Sequence, residues 1–161
     1  MFSNNRKDFP TLNSENPPVY LDNACMTLRP KSVIEAILSY YEETPGCGGR
    51  SAHRYATTVS RKMVQCRKNL AELFNAYESK EIIFTKNATH SLNQVAKGLD
   101  WDKGDVILTT DREHNSNLVP WLQLEEEQGV DHRVVKSNDD NTFNLEEFEK
   151  ACADAGKKLK M

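Results

Sequence analysis

Nowhere does this chain string together the roughly 18 apolar residues that a membrane-spanning helix needs, and its start, MFSNNRKDFP, carries charges without the apolar centre of a secretory leader. No membrane is expected, and a cytoplasmic location is. Cysteine is sparse and scattered. Cys25, Cys47, Cys66 and Cys152 form no C-x-x-C pair and no zinc spacing with histidine, so free thiols and no metal site are expected. A large excess of either charge is missing too: 21 basic against 24 acidic residues leave a net charge of −3, which argues against a general nucleic-acid binder. There is no internal repeat and no low-complexity tract. The informative shortage is glycine at one junction. In IIFTKNATHSLNQVAKGL, residues 82 to 99, a β-type run meets a helical run with no glycine between them. That excludes a Walker loop and a dinucleotide fingerprint, both of which need glycine where backbone meets phosphate.

What remains is the composition of an ordinary globular chain, with 38% hydrophobic and 28% charged residues among 161. A chain of this length can bury roughly two thirds of its unfolded surface, enough for one domain with a proper core. Residues 1–30, with Pro10, Pro17 and Pro18 among polar residues, read as an extended amino-terminal arm. From Lys31 the positions Val33, Ile34, Ile37, Leu38 and Tyr41 recur at helical spacing until Thr44-Pro45-Gly46 ends the run. After the glycine-rich loop GCGGRSAHR, a second helix is expected from about Ala56 to Asn75, with Val59, Met63, Cys66, Leu70, Leu73 and Phe74 on one face.

Beyond it the pattern alternates. Ile82 to Thr85, Val106 to Thr110 and His132 to Val135 read as strands. Ser91 to Lys97, Leu118 to Gln128 and Leu145 to Ala155 read as helices. Alternation of this kind predicts an α/β fold with a parallel-type sheet flanked by helices. The lysine-rich end, GKKLKM, is expected to stop without a strand.

In parallel α/β sheets, ligands bind at the carboxyl ends of strands, and two loops expected there are unusually polar. In KNATHS the side chains of Asn87, Thr89 or Ser91 can cap a helix, as they would in any protein. The same helix start, with its free amides and positive dipole end, can seat a single phosphate group. In TTDREHNSNLVPW, His114 can stack on a flat aromatic ligand or move protons near neutral pH, or it can be a plain surface histidine. In GCGGRSAHR, Arg50 and His53 can face a carboxylate or phosphate, and a flexible connector is the equally good alternative.

Taken together, YLDNACMTLRP, GRSAHR, IIFTKNATHSLNQVA and REHNSNLVPW, in this order, resemble the amino-terminal part of the class V aminotransferase group of pyridoxal phosphate (PLP) enzymes. The cysteine desulfurases and selenocysteine lyases are the nearest match, over roughly Asp8 to Ala155. The resemblance implies a partial PLP-dependent transferase (fold type I) large domain, with residues 31–161 as its amino-terminal portion. It implies Ala88, Thr89, His114 and Asn117 as cofactor-binding residues, with Ala88 and Thr89 at the phosphate and His114 stacked on the pyridine ring as a catalytic residue. Asn23 and Ala24 fall at the substrate entrance, with Arg50 and His53 on the substrate side. The family usually has a second hydroxyl where this chain has Ala88, and a carboxylate or similar group where it has His90. Cys25 takes the place of a small residue and is not read as the sulfur-accepting nucleophile.

The implied reaction removes sulfur from L-cysteine to give L-alanine and an enzyme-bound persulfide, in a homodimer and with a possible sulfur-acceptor protein. The lysine that holds the cofactor and the aspartate at its ring nitrogen belong to a part of the family pattern that this chain does not match. The 161 residues are therefore expected to be an inactive fragment when alone. Two alternatives stand beside this reading. One is another class V enzyme: an aminotransferase, an epimerase, a kynureninase-like hydrolase or a molybdenum-cofactor sulfurase. The other is a catalytically inactive α/β binding module.

Overall fold

The computed structural model describes residues 5–161, which divide into two compact units, one ending at Ile83 and the other spanning Phe84–Met161. In the first unit, the segment expected to be extended coils into two turns of 3-10 helix at Asn5–Asp8 and Pro10–Leu12. Pro10 favours the second, because its ring fixes φ and its missing N–H would be unpaired at a helix start anyway. Further on, the amides of Cys25 and Met26 both donate to the Asp22 carbonyl, at 3.2 and 3.0 Å, and fold the DNAC stretch into a turn.

Helix α1, Lys31–Glu43, starts directly after Pro30 and ends at Thr44, before the second proline. Its apolar residues are not covered: Ile37, Leu38 and Tyr41 are each half exposed or more. Helix α2, Arg54–Leu73, begins two residues before the expected start because His53 caps it, its ring accepting from the Ala56 amide. The approach of the preceding loop to this first turn requires glycine at position 46, where a Cβ would lie 2.7 Å from the Ala56 nitrogen.

The expected strand at Ile82 to Thr85 is corrected by the structure. These residues are extended chain outside any ladder, and the boundary between the two units falls within them. β-branched and aromatic residues favour a pleated conformation, but only a neighbouring strand turns it into sheet. The Ile82 carbonyl accepts instead from the Arg67 guanidinium at 3.2 Å.

The second unit runs α3 (Ala88–Gly98), β1 (Val106–Thr110), α4 (Val119–Gln128), β2 (Asp131–Val135) and α5 (Leu145–Ala155). Strands β1 and β2 are parallel, in register from Val106 opposite Asp131 to Thr110 opposite Val135, with α4 as the crossover. Gly129 ends α4 at φ 72°, a left-handed conformation that an L side chain resists.

The carboxyl end forms no strand of its own, as its sequence predicts, yet it does not leave the second edge of β1 bare. After a 3-10 turn at Gly156–Lys158, residues 159–161 pair parallel to the other edge of β1: Lys160 donates to the Val106 carbonyl at 3.0 Å, and Leu108 to the Met161 carbonyl at 2.7 Å. Three residues are too few for alternation to show in a sequence, yet they satisfy the second edge of a central strand.

With both edges paired, β1 is buried: Val106, Ile107 and Thr109 are at most 7% exposed. Ile107 joins Ala96, Trp121, Leu124 and Val130 in the core, with Leu92 and Trp101 packed against it. The buried Thr109 hydroxyl pairs with Nε2 of His132 across the strands at 2.8 Å. Among the described residues no helix is long and apolar enough to cross a membrane.

Candidate functional site

The junction without glycine is made by side chains. Asn87 sits in extended conformation, φ −170° and ψ 174°, and its Oδ1 accepts from the His90 amide at 2.9 Å. Thr85 Oγ1 meets Ser91 Oγ at 2.6 Å and both hydroxyls lie within reach of the Asn87 carbonyl, at 3.2 and 3.3 Å, so one hydroxyl donates to the other and that one to the carbonyl. No left-handed residue is needed, because capping by Asn87 starts α3 three residues earlier than the apolar periodicity predicts. With the His90 and Ser91 amides both bonded to Asn87, the first two amides of α3, from Ala88 and Thr89, make no hydrogen bond among the described residues. The Thr89 hydroxyl is equally unengaged. Two amides, one hydroxyl and the positive end of a helix dipole thus face outward at one point.

The second polar loop leaves the carboxyl end of β1. His114 caps a single turn of 3-10 helix, Asn115–Asn117, and its Nδ1 accepts from the Ser116 amide at 3.1 Å, with the Ser116 hydroxyl at 2.9 Å. An amide N–H on Nδ1 makes that nitrogen the acceptor, so the neutral ring carries its proton on Nε2. Thr89, Asn93, His114, Ser116 and Pro120 line one open depression of about 320 Å³. The two loops singled out in the sequence therefore meet on the same side of the sheet, with Thr89 from one and His114 from the other.

Asn117 does not line that depression. Its Nδ2 donates to Glu113 Oε2 at 2.8 Å, and its Oδ1 accepts from the buried Trp121 indole at 3.1 Å. Glu113, which sequence reasoning passed over, is the organiser of this loop: its other oxygen accepts from the Thr110 amide at 3.2 Å and the Thr110 hydroxyl at 2.7 Å. The Asn117 amide, followed by the Thr110 hydroxyl, holds the Glu113 carboxyl below the ordinary glutamate range. The only sequence signal for this role was the i, i+4 spacing of Glu113 and Asn117.

The remaining expected residues lie in the first unit. Asn23 lines a separate depression of about 220 Å³ with Arg6, Phe9, Leu12, Tyr20 and Thr27, and Ala24, Arg50 and His53 are not part of it. Arg50 is exposed on its loop, and His53 serves as the cap of α2. All four cysteines are free thiols, Cys25 among the exposed ones. Among the described residues no group of three or more His, Cys, Asp and Glu is arranged to hold a metal ion.

A helix start with open amides and an imidazole share one depression beyond the carboxyl end of β1, the place where parallel α/β proteins take their ligands. The sequence profile of the aminotransferase class-V family matches residues 19–160, and the chain belongs to that family. It is 37% identical over 149 residues to a probable cysteine desulfurase of Synechocystis, covering 89% of this chain and 36% of that protein. Among solved structures it resembles the apo cysteine desulfurase of Thermococcus onnurineus, with a TM-score of 0.80 and 36% identity over 90% of this chain and 36% of the other. It also resembles a C-DES mutant with glycine covalently linked to its PLP cofactor, at a TM-score of 0.67 and 28% identity over 81% of this chain and 33% of the other. The fold is thus part of the α/β large domain of fold type I. The chain spans about 36% of the length of the first curated relatives it matches.

Proposed function

We propose that this chain supplies the amino-terminal portion of a PLP-dependent cysteine desulfurase, which removes sulfur from L-cysteine to leave L-alanine and an enzyme-bound persulfide. Residues 31–161 form part of the cofactor-binding large domain in this reading, with 1–30 as its arm. The observation that carries it is the meeting of Thr89 and His114 at one depression, with the Ala88 and Thr89 amides open. The donors fit a phosphate of one group: two amides and the Thr89 hydroxyl at a helix start. The imidazole of His114 offers a flat face for the ring.

When bound, PLP supplies an electron sink for charge that develops on the amino-acid carbon. The chain's own groups do the rest. Ala88 and Thr89 hold the phosphate, and His114, with Nδ1 occupied by Ser116, exchanges protons through Nε2. Asn23 and Ala24 border the substrate entrance, and Arg50 and His53 stand on the substrate side. A homodimer accords with the uncovered apolar residues of α1, and an acceptor protein takes the persulfide sulfur onward. No nucleic acid or membrane has a role.

The test is the complete protein loaded with PLP and given L-cysteine. Alanine and reducible sulfur should form in equal amounts, and His114→Ala should slow alanine formation by about 100-fold or more. Turnover of another amino acid without release of sulfur from cysteine would replace this reading with one of the other class V reactions.

A further inference from the structure

The bond from Glu113 to Asn117 spans the one-turn helix, Asn115–Asn117, whose cap is His114. The donor pattern along this line is forced. A carboxylate only accepts and an indole N–H only donates, so the Asn117 amide between them can stand in one orientation alone, nitrogen toward Glu113 and oxygen toward Trp121. One end of the line is fixed to the last residue of β1 by the two Thr110 contacts, and the other to Trp121, which is 2% exposed in the core. Between those anchors lies Ser116, whose amide holds Nδ1 of His114.

We propose that Glu113 and Asn117 are positioning residues for His114: their clasp across the turn keeps the Ser116 amide on Nδ1, so that the ring meets the depression in one orientation with Nε2–H outward. Asn117 acts through its bonds to Glu113 and Trp121 and not as a cofactor contact. The inference rests on the desulfurase reading only for what His114 does, not for how it is held.

The test uses the 161-residue chain labelled with 15N, at a pH where His114 is neutral, without PLP. In the wild type the His114 ring nitrogens should show the single Nε2–H tautomer. Glu113→Gln leaves one acceptor oxygen where the carboxylate had two, so its NH₂ meets either the Asn117 amide donor or, turned over, the Thr110 backbone donor. Asn117 can turn over only by facing its nitrogen to the Trp121 N–H, so one end of the line is broken in either orientation. The expected result is a tautomer mixture at His114 and exchange of the Ser116 amide faster by at least about tenfold, the loss of one hydrogen bond to a charged group. The paired exchange Glu113→Gln with Asn117→Asp keeps the net charge and restores the pattern: the introduced amide donates to the introduced carboxylate, which still accepts from Trp121. It should return the single tautomer, with the Trp121 indole resonance at its wild-type position.

An unchanged tautomer in Glu113→Gln, or a mixture that persists in the paired variant, overturns the proposal. If Glu113→Gln alone does not fold, the paired variant decides, a single tautomer supporting the clasp and a mixture ending it. Because PLP is absent from the measurement, a complete protein that failed to release sulfur from cysteine would leave this result standing, and a tautomer mixture in the wild type would leave the desulfurase reading standing.

Discussion

Val134 and Val135 are neighbours on β2 with opposite surroundings, 47% and 3% exposed respectively. Truncating either to alanine removes the same two methyl carbons from the same strand, so the change in β propensity is common to both and cancels in their comparison. At about 0.8 kcal/mol per buried CH₂ group, Val135→Ala loses about 1.6 kcal/mol of transfer free energy. The space left between the sheet and its covering helices cannot fill with water, and the cavity raises the cost to about 2–3 kcal/mol. Val134→Ala loses roughly half the transfer contribution, about 0.8 kcal/mol, and leaves no cavity because solvent occupies the space. The structure therefore predicts a difference of about 1–2 kcal/mol between adjacent, chemically identical substitutions.

Urea unfolding followed by tryptophan fluorescence measures this directly, because both tryptophans of the chain, Trp101 and Trp121, belong to the same unit as β2. With a denaturant slope of about 1 kcal/mol/M, typical of a small unit, the two midpoints should lie roughly 1–2 M apart. Coincident midpoints at equal slopes, or a larger loss for Val134→Ala, would refute the placement of β2 with Val135 inward.

Acid should bear on the same unit through Glu113. A carboxyl held below its ordinary pKa in the fold contributes stability that is complete above the unfolded value and is lost as pH falls through the folded one, so the cost of Glu113→Gln should be greatest near neutrality and shrink from about pH 5 downward. Urea midpoints of the two proteins across that range check the sign. Asn87→Ala removes the single side-chain cap of α3 and should cost about 1 kcal/mol in the same assay, with Asn87→Gly costing only a few tenths. No measurable cost for Asn87→Ala would mean that the Asn87 oxygen contributes nothing at this junction.

The spacing of residues along the chain by itself determined what is local. Apolar periodicity placed α1, α4 and α5, the run VILTT placed β1 to the residue, and the order of polar loops pointed to Thr89 and His114. Those features depend on hydrogen bonds and side-chain faces within a few residues, which a sequence displays openly. Tertiary structure alone decided the rest. Ile82 to Thr85 has strand chemistry but lies outside the ladder, whereas the unpromising end at residues 159–161 pairs with β1, because a ladder belongs to two segments and neither announces its partner. For the same reason the partners of the Asn117 side chain cannot be read from its place in the chain. Only folding brings Glu113 and the Trp121 indole to opposite ends of its amide.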